Sequence, residues 1–220
     1  MALLHDGDVV AEAHLYQPRV HSERLTPLIE DVLRRADVRS DALDAVAVSM
    51  GPGSYTGLRI GVSTAKGWAL STGADLVGVP TLAAYAARLR PMTEVGDVVA
   101  ALLDARRDEV YAGAFRRTGD GLVQHAPTKA LTVDVLSDWI GTVDGRLWGV
   151  GDGGEKSRVA LDGVGTDRLL LPPDEVTPSA AWVGRCGRDR LADEGPDDVS
   201  TFEPLYVKEV HATPSPSPFA

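Results

Sequence analysis

One stretch limits what this chain can fold into more than any other: Ser49-Met50-Gly51-Pro52-Gly53-Ser54-Tyr55-Thr56-Gly57-Leu58-Arg59-Ile60-Gly61. The residues leading into it, Ala45-Val46-Ala47-Val48, form a short apolar run of the kind found in a buried strand. Gly51 and Gly53 let the backbone turn where a Cβ would clash, and Pro52 fixes one φ angle. A long helix is then predicted from about 54 to 70, with Ser54 or Thr56 able to cap its free N–H groups. Strand, sharp turn and helix in this order demand an α/β architecture. The same free N–H groups offer a place for an anion, which makes Gly51, Gly53 and Ser54 a candidate phosphate cradle. A tight strand-to-helix corner is the commoner reason for such residues. No lysine follows as in a phosphate-binding P-loop, and no second spaced glycine follows as in a dinucleotide site.

The helix after the turn carries a second constraint. Gly57, Gly61, Ala65 and Ala69 recur every four residues and leave one side of it nearly bare. Two glycines inside a helix cost up to about 1 kcal/mol each relative to alanine, so a close neighbour is needed to offset them. That neighbour is either the chain's own sheet or first helix, or another subunit. Trp68 near the helix end is likewise either core or an aromatic anchor for a partner.

The surrounding pattern repeats loosely. Asp6-Gly7 between two alternating runs reads as a hairpin turn, and Leu25, Leu28, Ile29, Val32 and Leu33 mark a helix from about 22 to 36 with Ser22 as its N-cap. A strand at 74–79 and a helix at 81–89 capped by Thr81 complete the first round. Strands at 98–103 and 110–115, a helix at 133–140, a strand at 146–150 and a helix at 179–193 make the second. The expectation is two lobes, 1–93 and 94–203, followed by a C-terminal segment, 204–220, whose Pro-Ser repeat at 213–218 reads as a mobile tail.

Charge and composition remove several classes of function. A net charge of -10 opposes strong direct binding of nucleic acid, and the basic residues form only short pairs. One cysteine, Cys186, allows no internal disulfide; beside Trp182 and Val183 it reads as a core thiol. No apolar run approaches the roughly 20 residues that span a bilayer, and the first residues lack the pattern of a secretion signal, so a cytoplasmic protein with no membrane contact is expected. Arg106 and Arg107 have guanidinium forks suited to a phosphate or carboxylate, which makes Arg106 a fourth anion candidate; Asp104 and Asp108 beside them also fit a locally neutralised hairpin. Gly149-Val150-Gly151-Asp152-Gly153-Gly154 reads as a nucleotide loop or, more simply, as a connection after a strand. No two histidines have metal-pair spacing, and His21 reads as a helix-start surface residue. A serine peptidase needs an activating base, and no context supplies one to Ser54.

The run from Gly51 to Gly61 resembles the signature of the TsaB (YeaZ) family, within the actin-like ATPase superfamily. Three further stretches agree: His21-Ser22-Glu23, Asp104-Ala105-Arg106-Arg107-Asp108-Glu109-Val110-Tyr111, and Pro204-Leu205-Tyr206. The resemblance implies two ribonuclease-H-like lobes and a non-catalytic scaffold for threonylcarbamoyl transfer to an adenosine of tRNA. It implies pairing with the catalytic subunit TsaD, or with a second copy, through the first two long helices, and binding of the small ATPase TsaE. Carried onto this chain, the interface would use Leu25, Ile29, Val32, Tyr55, Gly57, Leu58, Gly61, Ala65 and Trp68. It implies no catalytic residue, no cofactor and no metal, since the related catalytic subunits bind metal through two histidines four apart and Leu25 stands four residues after His21. It also implies a strand ahead of the hairpin, central in the first sheet, and hence a natural product longer than this chain. The alternatives are a peptidase-like enzyme or an ATP-binding, kinase-like one of the same superfamily.

Overall fold

Asp6 and Gly7 both take positive φ, 51° and 89°, and close the turn between β1 (Ala2–His5) and β2 (Asp8–Glu12). This is the Asp-Gly hairpin that the sequence predicts. It heads a computed structural model that describes residues 1–16, 21–157, 169–170 and 179–208, and of His21, Ser22, Glu155, Leu169 and Leu170 the backbone alone. The expected tail at 213–218 and the Ser22 cap lie outside the described residues and side chains.

Helix α1 (His21–Arg35) and β3 (Ala45–Gly51) follow, then α2 (Tyr55–Thr72) and β4 (Asp75–Pro80). Strands β3 and β4 pair in parallel. Val46, Val48 and Met50 of β3 and Leu76 of β4 pack against Val62, Ala65 and Ala69 of α2, and Phe202 closes that core. Helix α3 (Thr81–Arg88) is not capped by Thr81: Pro80 holds the cap position without a side-chain bond. The Thr81 hydroxyl instead shares a 2.6 Å hydrogen bond with that of Ser49. A tertiary partner has displaced the local one.

The second lobe is one five-stranded sheet of order β7-β6-β5-β8-β9, built from β5 (Val98–Asp104), β6 (Glu109–Arg117), β7 (Leu122–Thr132), β8 (Leu147–Val150) and β9 (Leu169–Leu170). Strand β5 is central, antiparallel to β6 and parallel to β8. Its alternate residues serve two cores. Val98, Ala100 and Leu102 meet Leu136 and Ile140 of α4 (Val133–Gly141). Val99, Ala101 and Leu103 meet Leu82, Tyr85, Ala86 and Leu89 of α3 and the turn after it. Burial on both faces is why β5 reads as an unbroken apolar run. Strand β7 was not legible in the sequence. It is an edge strand with mostly exposed side chains, and it bulges beside Pro127, where register jumps from Ala112↔Lys129 to Ala114↔Ala126.

After β8 comes a single helical turn, α5 (Gly153–Lys156), and later α6 (Ala180–Glu194). Expected with the second lobe, α6 packs instead on β1, β3, β4 and α3. Gly184 and Gly187 make this close: a Cβ on Gly184 would meet Leu4 Cδ1 at 2.8 Å, and one on Gly187 would meet Ala47 Cβ at 2.7 Å. Arg190 donates to the Gly78 carbonyl at 2.7 Å, and Phe202 sits in the first-lobe core. Residues 180–202 therefore pack with the first lobe, which moves them across the expected division.

Asp97 fastens the second lobe's edge. Buried among apolar strands, it accepts two hydrogen bonds from Arg146, at 2.9 and 2.8 Å, and one from the Trp148 indole at 3.0 Å. Burial by itself would raise its pKa; the bonds from Arg146, the Glu94 N–H and Trp148 outweigh that and hold it below the usual carboxylate range.

Candidate functional site

The Gly51–Ser54 corner forms as the sequence predicts. Ser54 is the N-cap of α2, accepting from the Gly57 N–H at 3.3 Å. Gly51 has φ 124°, and a Cβ there would run into the Leu205 carbonyl oxygen. Only glycine tolerates both conditions. Leu205 in turn donates its N–H to the Met50 carbonyl at 2.7 Å. A carbonyl oxygen thus lies where a Gly51 side chain would begin, and the Ser54 hydroxyl is engaged in the cap.

The stripe Gly57, Gly61, Ala65 and Ala69 also turns inward. Ala65 is 6% exposed and Ala69 2%, and a Cβ on Gly61 would look at Val48 Cγ2 of β3, 4.0 Å away. Leu58 and Val32, two more expected interface residues, are buried in the chain's own core. The neighbour beside Gly61 is therefore the first lobe's own sheet. Gly57 is half-buried, its absent Cβ facing only the Ser54 side chain.

The opposite side of α2 is uncovered. Ser63, Gly67 and Ser71 are exposed and also recur every four residues, with Leu70 at 73% exposure beside them. A Cβ on Gly67 would meet nothing within 4 Å. Trp68 is half-buried and, with Thr26 of α1, Ser40, Thr64, Gly67 and Ser71, lines a shallow notch of about 400 Å³ between the two helices. Ile29 is half-buried on α1, and Leu25, also half-buried, lines a different, more enclosed cavity of about 340 Å³ between α1, α3 and α6. At the start of α2, Tyr55 is partly exposed and tilts against Tyr206, ring centroids 5.1 Å apart, with the Arg59 guanidinium 5.3 Å from its ring centre. The structure gathers Tyr55, Gly67, Trp68 and Leu70 onto α2's outer surface. Sequence reasoning missed Ser63, Gly67, Leu70 and Ser71, although two period-four rows of small residues lie on this one helix. Serines in one row and alanines in the other were the signal for which faces water.

Arg106 and Arg107 lie at the β5–β6 hairpin with φ 65° and 52°, side chains exposed. Among the described residues neither forms an ion pair. Asp104 is neutralised from elsewhere: Lys156 of α5 hydrogen-bonds it and, as the largest influence, holds its carboxyl below the usual range. The Gly149–Gly154 run is β8 followed by the α5 turn, with Asp152 accepting from the Asp104 N–H at 2.9 Å. It is a connection pinned to β5. Lys208 ties the C-terminal segment to the same hairpin, donating to the Ala105 carbonyl at 3.1 Å and pairing with Glu109. Residues 202–208 therefore run from the first-lobe core, past Gly51, to the second lobe.

Cys186 is half-buried, and burial pushes its thiol up to about 11, with Asp189 adding to the shift. Among the described residues no group of three His, Cys, Asp or Glu side chains is placed to hold a metal, no histidine hydrogen-bonds Ser54, and no helix is long and apolar enough to cross a membrane.

A family model described as TsaD, tRNA N6-adenosine threonylcarbamoyltransferase, matches residues 10–141. The tRNA threonylcarbamoyladenosine biosynthesis protein TsaB of Escherichia coli (strain K12) is 34% identical over 218 residues, covering 94% of this chain and 89% of that protein. Its namesake in Bacillus subtilis (strain 168) is 34% identical over 216 residues, covering 96% and 90%. Among solved structures, YeaZ from Pseudomonas aeruginosa superposes with a TM-score of 0.74 at 27% identity, over 93% of this chain and 92% of that one. A second structure, of a protein with similarity to peptidase YeaZ from Pseudomonas aeruginosa, gives 0.78 at 26% identity over 94% and 93%. The mixed α/β fold is that of the actin-like superfamily. With sequence identity and fold agreeing over nine-tenths of both partners, the chain belongs to the TsaB (YeaZ) family.

Proposed function

We propose that this chain is a cytoplasmic, non-catalytic subunit of the apparatus that places threonylcarbamoyl on a tRNA adenosine, and that it acts by binding TsaD, with TsaE joining the assembly. The observation that carries this reading is the uncovered outer face of α2, where Ser63, Gly67 and Ser71 leave a low surface beside the exposed Leu70. Small residues let a second helix approach closely, and Leu70 and Trp68 supply apolar area at the contact. The docking face so defined comprises Tyr55, Gly67, Trp68 and Leu70 of α2 with Ile29 and Thr26 of α1. Val32, Leu58, Gly61 and Ala65 support it from beneath. A homodimer through the same helices competes with TsaD for this surface. The chain's acidity leaves tRNA to be held by the partner.

Co-purification with the TsaD of the same organism tests this. Gly67→Arg and Leu70→Glu are expected to abolish retention without lowering thermal stability. Full retention by both variants would place the interface elsewhere.

A further inference from the structure

Three pairs of adjacent arginines stand in the chain: Arg34-Arg35, Arg106-Arg107 and Arg116-Arg117. Two of them find partners within it. Arg34 and Arg35 both bond the Asp31 carboxylate one turn back, Arg35 at 2.6 Å. Arg116 pairs with Asp144 and donates to the Gly96 carbonyl at 3.3 Å, and Arg117 donates to the Gly121 carbonyl at 3.1 Å. The middle pair differs. Among the described residues neither the Arg106 nor the Arg107 side chain has a hydrogen bond or an ion pair, and both are exposed.

Lysines from distant segments hold the acids that flank this pair. Lys156 of α5 pairs with Asp104, and Lys208 of the C-terminal segment with Glu109. At the tip one exposed carboxylate, that of Asp108, then stands against two guanidiniums. The backbone beneath them is fixed. Arg106 and Arg107 hold φ of 65° and 52°, the left-handed region that residues other than glycine seldom enter. The Ala105 N–H donates to the Glu109 carbonyl at 3.0 Å, the Glu109 N–H to the Arg106 carbonyl at 3.2 Å, and the Arg106 N–H to Asp104 at 2.9 Å. Lys208 and Lys156 add bonds from outside, to the Ala105 and Glu109 carbonyls at 3.1 and 3.4 Å. A strained turn held this firmly presents its side chains from one position, which lowers the ordering cost of any contact they make.

We infer that the Arg106–Arg107 tip is a docking point for an acidic segment of a partner protein, each guanidinium taking one carboxylate through two parallel N–H donors. The planar fork of arginine matches the two oxygens of a carboxylate. Phosphate offers similar oxygens, but the surroundings disfavour a polynucleotide. The chain carries a net charge of -10, Asp108 is exposed at the tip, and Asp152, also exposed, accepts from the Asp104 N–H at the base of the hairpin. A nucleic-acid strand brings a negative charge about every 3.4 Å and would carry most of them past acidic surface. A protein segment needs two carboxylates at the tip and neutral residues beyond it. The tip belongs to the second lobe, so its occupant is independent of whatever covers α2.

The test adds hexaglutamate to the full chain at low salt while NMR reads the arginine Nε–Hε signals. Saturable shifts are expected at Arg106 and Arg107, with a Kd of about a millimolar or tighter. None is expected at Arg34 and Arg35, whose guanidiniums Asp31 already holds. Replacing both tip residues, Arg106→Gln with Arg107→Gln, is expected to weaken binding by about tenfold or more. Arg106→Lys with Arg107→Lys keeps the charge and loses the fork, and is expected to weaken it by about threefold. No saturation, equal shifts at Arg34 and Arg35, or unchanged affinity in the glutamine variant overturns the docking point. A lysine variant that binds as well as wild type overturns the forked contact. Octauridylate binding more tightly than hexaglutamate overturns the protein occupant in favour of RNA.

Discussion

Leu205 donates its backbone N–H to the carbonyl of Met50 at 2.7 Å, and the Leu205 carbonyl then lies where a side chain on Gly51 would begin. The glycine is thus required by a contact made 154 positions along the chain, as well as by its own φ of 124°. Gly51→Ala is expected to cost about 2 kcal/mol or more, read as a Tm lowered by about 5 °C. Gly53→Ala meets only ordinary contact with Leu58, at 3.8 Å, and is expected to cost less than about 1 kcal/mol. Equal effects from the two would show that Leu205 does not seal the corner.

Two glycines on α2 are expected to respond with opposite sign. Gly61→Arg drives a charged side chain between the helix and Val48 of β3, at a cost of about 2 to 4 kcal/mol. Gly67→Arg enters open space and improves helix propensity by up to about 1 kcal/mol. Chemical denaturation of the two variants measures this. A destabilised Gly67→Arg would mean that the outer face is not free.

Asp197 accepts hydrogen bonds from Arg190, at 2.6 and 3.0 Å, and from the Gly78 N–H at 2.8 Å. Arg190 above all holds its carboxyl below the usual range. A carboxylate depressed in the folded state binds fewer protons there than in the unfolded chain. Its contribution to stability is therefore complete above the ordinary pKa of about 3.9 and is lost as pH falls through the lower folded value. Asp197→Asn is expected to cost about 1 to 2 kcal/mol at pH 7, with the gap to wild type closing only below about pH 4. A gap independent of pH down to acid unfolding would remove the charge from the account.

Cys186, its thiol pushed up to about 11, is expected to alkylate with iodoacetamide at pH 8 at least tenfold more slowly than free cysteine, whose pKa is about 8.5. Mass spectrometry of the folded chain reads the rate. Reaction as fast as that of free cysteine would show an accessible thiolate.

The isolated chain, with its net charge of -10, is expected to bind tRNA no tighter than about micromolar at physiological salt. Filter binding with unmodified tRNA checks this, and a submicromolar Kd would assign the chain a direct part in holding the substrate.

The Asp6-Gly7 turn was enough to read the hairpin, and the period of the apolar residues to read helices α1, α2, α4 and α6 and the apolar strands β3, β4 and β5. The glycine corner was equally plain: Gly51, Pro52 and Ser54 act within their own few residues. Where the outcome hung on a distant partner, the chain alone left it open. Which of two small-residue rows on α2 faces inward depends on where β3 lies. Why position 51 must be glycine depends in part on Leu205. Thr81 gives up its cap for Ser49, and α6 joins the first lobe because Gly184 and Gly187 fit against Leu4 and Ala47. Strand β7, polar and at an edge, lacks the burial that writes a pattern into sequence. Periodicity is a property of one segment and its surroundings on average; the identity of the neighbour is set only when segments far apart in sequence compete for the same surface.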